Sequence, residues 1–194
     1  SVFALATSNG FAAARSATGY GCSVSVLAGE AGAMQTDYAY RSSRHLSELE
    51  SPESLGRRAG ERAVAAVGAR TIEGGAMPVL FDPRVGGSLI SHLIGAISGT
   101  AIARKTSFLR DDLGKMIFDS SVSIIDDPRR PRGLASRAFD GEGLETHRTA
   151  LIEGGVLNGW LCDMASALQL GLKPTGHAAA SGGIGTTNVH MEPG

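Results

Sequence analysis

The sequence has almost no net charge. Its 194 residues carry 18 Lys and Arg against 19 Asp and Glu, which gives a formal net charge of −1 at pH 7. Proteins dedicated to nucleic-acid binding usually have a basic surplus, so this balance argues against direct contact with DNA or RNA. The length suits one or two domains with a real hydrophobic core.

The sequence also has few cysteines. Cys22 and Cys162 are the two cysteines of the chain, and they stand far apart in no metal-binding or redox spacing. We expect free thiols in a reducing, cytoplasmic environment, with a disulfide between the two as an open alternative.

The chain also lacks an initiator Met, a basic n-region and the apolar h-region of a signal peptide. It begins as though inside a strand, and residues 191–194 add no closing element. We therefore expect the ordered middle of a longer protein, whose functional site could be incomplete in this segment.

No complete catalytic motif is present. The sequence contains neither Gly-x-Ser-x-Gly nor His-Glu-x-x-His, and Gly183-Ile-Gly185 has no strand before it and no helix after it. Ser88 precedes His92 by four residues and could bond to it on a helix, but no orienting acid stands nearby. These residues alone do not identify a reaction.

The sequence does contain one long stretch without formal charge, residues 85–103. Asp82 and Pro83 form a helix start before it, and Arg104 and Lys105 end it with positive charge. Nine of its nineteen residues are Gly, Ser, Thr or His, so it is too polar for a membrane span. The spacing of its apolar residues predicts a helix.

Two interpretations of this helix stay open. It could be a buried core helix, as uninterrupted apolar helices often are. Alternatively it lines a substrate groove with His92 facing that groove, because Gly87, Ser91 and Gly95 form a row of small residues that lets another backbone approach.

The remaining patterns predict an α+β fold: an antiparallel β-meander packed with a few helices, followed by a β-rich segment of a C-terminal domain. Four strands in residues 1–46 form the meander, with a hairpin at Asn9-Gly10. Ser51-Pro52-Glu53 then begins an amphipathic helix that extends to about Arg70. We place a domain division between residues 1–75 and residues 76–194. Further strands are predicted at residues 79–81, 116–118, 122–125, 145–152 and 156–161.

Six ordered segments resemble the TldD/PmbA family, in particular its PmbA (TldE) branch, often named "modulator of DNA gyrase". They are VLF at 79–81, SHLIGAISG at 91–99, RKTSFL at 104–109, GLAS at 133–136, FDGEG at 139–143 and LKPTGH at 172–177. Together they cover about residues 75–180, and residues 1–70 fit the family more loosely.

The resemblance implies a cytoplasmic peptidase system. In that family the TldD branch carries a helical His-Glu-x-x-x-His zinc motif and pairs with a PmbA subunit. Together they cleave unfolded peptides, and the zinc ion activates water with the motif Glu as general base.

The sequence departs from that motif at two positions. With His92 aligned to the second motif histidine, Gly87 stands in place of the first and Ser88 in place of the glutamate. A catalytic zinc needs about three protein ligands, so the resemblance implies a non-catalytic subunit with no cofactor of its own. His92 remains a weak candidate metal ligand.

We therefore expect an oligomer with a TldD-type zinc metallopeptidase subunit, unfolded peptide substrates, and no contact with nucleic acid or membrane. Extended peptide could add to a sheet edge at residues 122–125 or 145–152. Two alternatives stay open: a metallohydrolase in its own right, with ligands among His92, His177, His190 or an acid, and a non-enzymatic peptide-binding or scaffold module. The expected groove or partner-contact residues are Gly87, Ser88, Ser91, His92, Gly95, Thr175, Gly176 and His177.

Overall fold

The computed structural model describes residues 1–30 and 32–193. Its elements confirm the α+β class with antiparallel strands. No helix in this part of the chain has both the length and the apolar content of a membrane span. In chain order, the elements are β1 (Val2–Ala6), β2 (Ala12–Ser16), β3 (Tyr20–Ala28), β4 (Gln35–Ser43), a 3-10 helix (Leu46–Glu48), α1 (Pro52–Ala66), α2 (Pro83–Ala96), α3 (Gly99–Ala103), β5 (Ile124–Asp126), β6 (Thr149–Glu153), β7 (Val156–Leu157), α4 (Met164–Leu170) and β8 (Val189–Met191).

The chain forms two compact units. The first contains Ser1 and the described residues of 17–79, and the second contains residues 2–16 together with those from Leu80 onward. The domain division after residue 75 stays a prediction. In the structure, the hairpin at the start of the chain groups with the later residues.

The first unit is built from β3, β4 and α1. The strands pair antiparallel over nine residues each, and α1 lies on one face of the pair. Leu55 and Ala59 of the helix are fully buried with Ala39 of β4. The Ser51 hydroxyl accepts a hydrogen bond from the backbone N–H of Ser54 at 3.2 Å, which confirms the predicted helix start.

The predicted four-strand meander is two separate hairpins. β1 pairs only with β2 and β3 only with β4 among the described residues. Phe3 of β1 and Phe11, directly before β2, have rings that lie 6.1 and 5.2 Å from that of Phe139 in the second unit. Burial of these aromatic rings holds the first hairpin to the second unit instead of pairing it with β3.

The second unit contains a four-stranded antiparallel sheet in the order β7-β6-β5-β8. Its core includes residues from β5, β6 and β7 and from the ends of the nearby helices, namely Leu93, Ile97, Ile124, Leu151, Ile152, Leu157 and Trp160. The edge proposed for peptide addition at residues 122–125 is wrong, because β5 is paired on both sides, by β6 and β8. In residues 145–152, β6 pairs with β5, and at its end Ile152 also pairs with β7, so this second edge stays a prediction only for the residues before Ile152.

Two short predicted strands do not form in the described residues. Residues 79–81 have no strand partner, and Leu80 is 99% exposed. Residues 116–118 contribute only an isolated bridge between Met116 and Val156. An apolar triplet is therefore too short a pattern to specify a strand when no neighbouring strand is placed to pair with it.

The predicted helix over residues 85–103 is interrupted at Ile97 and Ser98. Ser98 forms a parallel bridge with Leu161, and the Gly99 N–H donates to the Leu161 carbonyl at 2.7 Å. Leu161 in turn donates to the Ile97 carbonyl at 3.0 Å. These tertiary bonds replace helical ones and split the stretch into α2 and α3.

The contact around Gly99 is close. A Cβ atom at this position would lie 2.7 Å from the Ser166 hydroxyl, 2.8 Å from the Cys162 sulfur and 2.9 Å from the Leu161 carbonyl oxygen. Only glycine therefore lets α3 begin directly against the start of α4.

Candidate functional site

The five predicted site residues on α2 lie on one solvent-exposed face. At about 100° per residue, they span a sector of about 140° around the helix axis. Leu93 is the buried residue of α2, whereas Val85 and Leu89 are each 50% exposed. The buried-helix interpretation therefore fails for the start of the 85–103 stretch and holds for its later part, where Leu93, Ile97 and Ile102 are buried. The exposed residues of the sector are Gly87, Ser88, Ser91, His92 and Gly95.

The serine hydroxyls of this face bond back to the helix. Ser88 Oγ donates to the Val85 carbonyl at 2.6 Å, and Ser91 Oγ donates to the Gly87 carbonyl at 3.0 Å. The hydrogen bond considered between Ser88 and His92 is therefore absent from the described structure, and so is an activated Ser–His pair.

The glycines of this face have open space in front of them. A Cβ atom on Gly87 or Gly95 would meet no other atom of the described chain within 4 Å. Packing within the described residues therefore does not require glycine at either position. The exposed backbone strip is uncharged and accessible to another backbone.

The other three predicted site residues belong to a different part of the second unit. Thr175 is exposed at its surface, whereas Gly176 and His177 are buried. The His177 ring, only 3% exposed, presents no atom to a groove in this structure. A Cβ atom on Gly176 would lie 2.8 Å from the Glu145 carbonyl oxygen, and the residue has a φ of +74°. Glycine is therefore needed for the backbone at this position to lie so close to the backbone of Glu145.

His177 is held between a carboxylate and a hydroxyl. Its Nε2 lies 3.3 Å from Oδ2 of Asp126, which is 1% exposed, and its Nδ1 lies 2.9 Å from Oγ1 of Thr175. The Thr175 hydroxyl also accepts the backbone N–H of Cys162 at 2.8 Å. These bonds connect the loop of residues 175–178 to β5 and to the segment that leads into α4.

Asp126 is the electrostatic centre of this cluster. It accepts hydrogen bonds from the Thr187 backbone N–H, at 3.0 Å to each oxygen, and from the Thr187 hydroxyl. Burial by itself raises the pKa of Asp126, but the hydrogen bonds from His177 and Thr187 outweigh it and hold that pKa below the ordinary value. The ionised carboxylate then fixes His177 with Nε2–H as the donor.

Little in the sequence connects the two members of this pair. The pattern around Asp126 indicates only the end of a strand before Pro128, and His177 follows Asp126 by fifty-one positions. His177 ends the LKPTGH segment at residues 172–177, but Asp126 belongs to none of the segments that resemble the family, so no local signal could join the two. The cluster is a structural anchor in the second unit, because both partners are buried and already bonded.

The described residues bring together no group of three or more His, Cys, Asp and Glu side chains that could hold a metal ion. His92 lies on the exposed face of α2, and His177 is bonded to Asp126. His190 lies in β8, where its Nδ1 is 3.3 Å from the Asn188 carbonyl oxygen.

Two family models match the chain. Residues 1–67 match the PmbA/TldA metallopeptidase central domain, and residues 74–194 match the PmbA/TldA metallopeptidase C-terminal domain. Metalloprotease PmbA of Escherichia coli O157:H7 is 41% identical over 167 residues, which are 86% of this chain and 36% of that protein. The chain thus spans a little over a third of the length of this curated relative.

Solved structures agree with this assignment. A candidate modulator of DNA gyrase from Bacteroides thetaiotaomicron superposes with a TM-score of 0.87 at 30% identity, over 96% of this chain and 41% of that one. TldE from Thermococcus kodakarensis superposes with a TM-score of 0.84 at 25% identity, over 96% and 43%. On its sequence and its fold, the chain belongs to the PmbA/TldD family of metallopeptidase-related proteins.

Proposed function

We propose that this chain is part of a PmbA/TldE-type subunit, itself non-catalytic, that works with a TldD-type zinc metallopeptidase subunit. The complex cleaves unfolded peptides in the cytoplasm, and zinc is held by the TldD-type partner. The proposal rests first on the family and second on the residues of α2, because the family's zinc motif would lie on this helix.

The observation that carries the proposal is the composition of the exposed face of α2. Gly87 and Ser88 stand where the first zinc ligand and the general base of the motif belong, and only His92 remains. One histidine cannot hold a catalytic zinc, which takes about three protein ligands and an open position. Ser88 cannot replace a glutamate as a base, and its hydroxyl is bonded to the helix.

The same face suits contact with a partner subunit. It carries no formal charge, its glycines allow close backbone approach, and Val85 and Leu89 beside it are half exposed. Interfaces are depleted of charged residues at their centres, so this composition supports a protein contact more than a solvated surface. The cytoplasmic location is supported by the free thiols of Cys22 and Cys162.

A second candidate is a metallohydrolase in its own right. The name Metalloprotease PmbA, carried by the Escherichia coli relative, favours it. The described residues offer His92 as one ligand, whereas recruitment of His177 would require it to leave the buried Asp126. A non-enzymatic scaffold that acts without any peptidase is the third outcome that an experiment must separate.

The test is co-purification of the full-length protein with the TldD-type subunit of the same organism, followed by measurement of zinc content and peptide cleavage. The variant Gly95→Leu places a bulky side chain on the exposed face of α2, and we expect it to abolish the complex and the cleavage that depends on it. Gly60→Leu on α1 is the matched control, since a Cβ there also meets nothing within 4 Å. Both substitutions favour helix, so loss of folding is not the expected cause.

Three results would count against the proposal. Stoichiometric zinc in this protein alone, lost in His92→Ala, would establish the metallohydrolase. Failure to form any complex, together with no effect on peptide cleavage by the TldD-type subunit, would favour the scaffold. Equal effects of Gly95→Leu and Gly60→Leu would remove α2 from the interface.

A further inference from the structure

A shallow cavity of about 360 Å³ lies where α3 ends in the second unit. Its lining residues are Ile102, Lys105, Arg110 and Asp111. None of them belongs to the exposed face of α2 or to the His177 cluster. Three of the four lie in or beside the RKTSFL segment at residues 104–109, whose role neither of those sites explains.

The loop that forms this cavity is anchored at its centre. Ser107 Oγ donates to the Ala96 carbonyl at 2.6 Å and accepts the Leu109 N–H at 3.0 Å. Both Ser107 and Leu109 are buried, at 8% and 7% exposure. The two cationic residues flank this anchor, so the backbone that carries them is held in place before any ligand arrives, although their side chains are exposed.

The cavity has an excess of positive charge. Arg110 uses its Nε to pair with Asp111 Oδ2 at 2.9 Å, which leaves its two terminal nitrogens without an acceptor in the described structure. The ammonium group of Lys105 likewise has no acceptor among the described residues. Two cations and one carboxylate therefore line the cavity.

The backbone of Lys105 carries a further sign of constraint. Its φ is +58°, in the left-handed region where a helix normally ends with glycine. A lysine costs free energy in this conformation, and such residues concentrate at ligand-binding sites. The conformation is held by the Lys105 N–H bond to the Ile102 carbonyl at 3.0 Å.

We propose that this cavity binds a small carboxylate ligand. The terminal N–H groups of Arg110 form a planar fork that can donate two hydrogen bonds to the two oxygens of a carboxylate, and Lys105 adds a point charge. Ile102 contacts the apolar part of the ligand. The expected ligand is the C-terminal carboxylate of a peptide, because the proposed function is peptide cleavage. This choice of ligand rests on that proposed function.

A monovalent carboxylate fits better than a phosphate. Phosphate sites are typically built from backbone N–H groups at helix N-termini, whereas α3 turns its carbonyl end toward Lys105. Asp111 also repels a dianion more strongly than a monoanion. The volume is at the lower end of small-molecule sites, which suits a peptide end of one or two residues.

The test uses the full-length protein without any partner subunit. The probes are a labelled, N-acetylated alanine tetrapeptide with a free carboxylate and the same peptide as its C-terminal amide. We expect the acid to bind about tenfold more tightly, the ratio that one charge-assisted hydrogen bond provides. Arg110→Gln should remove this preference, and Arg104→Gln, an exposed neighbour outside the cavity lining, should keep it.

Lys105→Gly separates binding from folding. Glycine removes the ammonium group and also relieves the strain of the left-handed backbone conformation. The variant should therefore bind the peptide with the free carboxylate more weakly and unfold at a higher temperature. Equal affinity for acid and amide, or equal effects of Arg104→Gln and Arg110→Gln, would overturn the proposal. Displacement by inorganic phosphate at lower concentration than by acetate would refute the carboxylate class. The proposed function is refuted by a different result, namely the absence of a complex with the TldD-type subunit.

Discussion

Two alanine substitutions four residues apart should change the stability of this protein in opposite directions. Gly95 and Gly99 stand on either side of the break between α2 and α3, and each change adds one methyl group. Gly95 is exposed, and a Cβ atom there would meet no atom within 4 Å, whereas the space that a Cβ atom on Gly99 would need is already occupied.

The magnitudes follow from these two environments. Gly95→Ala gains helix propensity of about 1 kcal/mol without any contact to offset it. At Gly99 the new methyl group would lie 2.9 Å from the Leu161 carbonyl oxygen, a backbone atom, and closer still to Ser166 and Cys162. Overpacking of this kind costs about 1–3 kcal/mol.

Thermal unfolding of the two variants measures the contrast. For a chain of this size, a loss of ~2 kcal/mol lowers the unfolding midpoint by about 4–8 °C, and a gain of ~1 kcal/mol raises it by about 2–4 °C. We therefore expect the unfolding midpoint of Gly99→Ala to be lower than that of the parent protein and the midpoint of Gly95→Ala to be higher. The description of the α2–α3 break would be refuted if Gly99→Ala were as stable as Gly95→Ala.

Two further predictions concern buried titratable groups. Asp126→Asn should destabilise the protein by about 2–4 kcal/mol at neutral pH, because it removes the charge that holds His177. Since the folded pKa of Asp126 lies below its ordinary value of 3.8, its contribution is complete above that value and is lost as the pH falls through the folded pKa. Acid-unfolding curves of variant and parent should therefore converge at low pH, and parallel curves would contradict this assignment. Burial raises the pKa of the fully buried Cys162 thiol, so iodoacetamide should label Cys22 first in the native protein, and equal labelling rates by mass spectrometry would argue against it.

Local signals in the sequence predicted the elements that local bonds determine. The start of α1 follows from Ser51 and Pro52, and its buried face follows from the spacing of Leu55, Ala59 and Ala63. The first hairpin follows from Asn9-Gly10 in the same way. In each case the decisive contacts join residues that are close in the sequence.

The features that the sequence did not predict depend on distant partners. The break after α2 requires Leu161, which follows Ser98 by sixty-three positions, and the burial of His177 requires Asp126. The cavity beside α3 depends on how Ser107 folds the loop back to Ala96. Periodicity and motif spacing carry no information about such pairs, so the sequence names candidate residues on α2 and at residues 175–177 but not the distant partners that bury His177.

The order of synthesis has a consequence for the hairpin formed by β1 and β2. Phe11 emerges from the ribosome 128 residues before Phe139, the aromatic partner that buries it. At a synthesis rate of roughly 5–20 residues per second, the aromatic face of the hairpin stays exposed for about 6–26 seconds before Phe139 is made. During this time β3, β4 and α1 can complete their own core. Slower translation through residues 80–139 should therefore prolong the exposure of this face to chaperones and to aggregation.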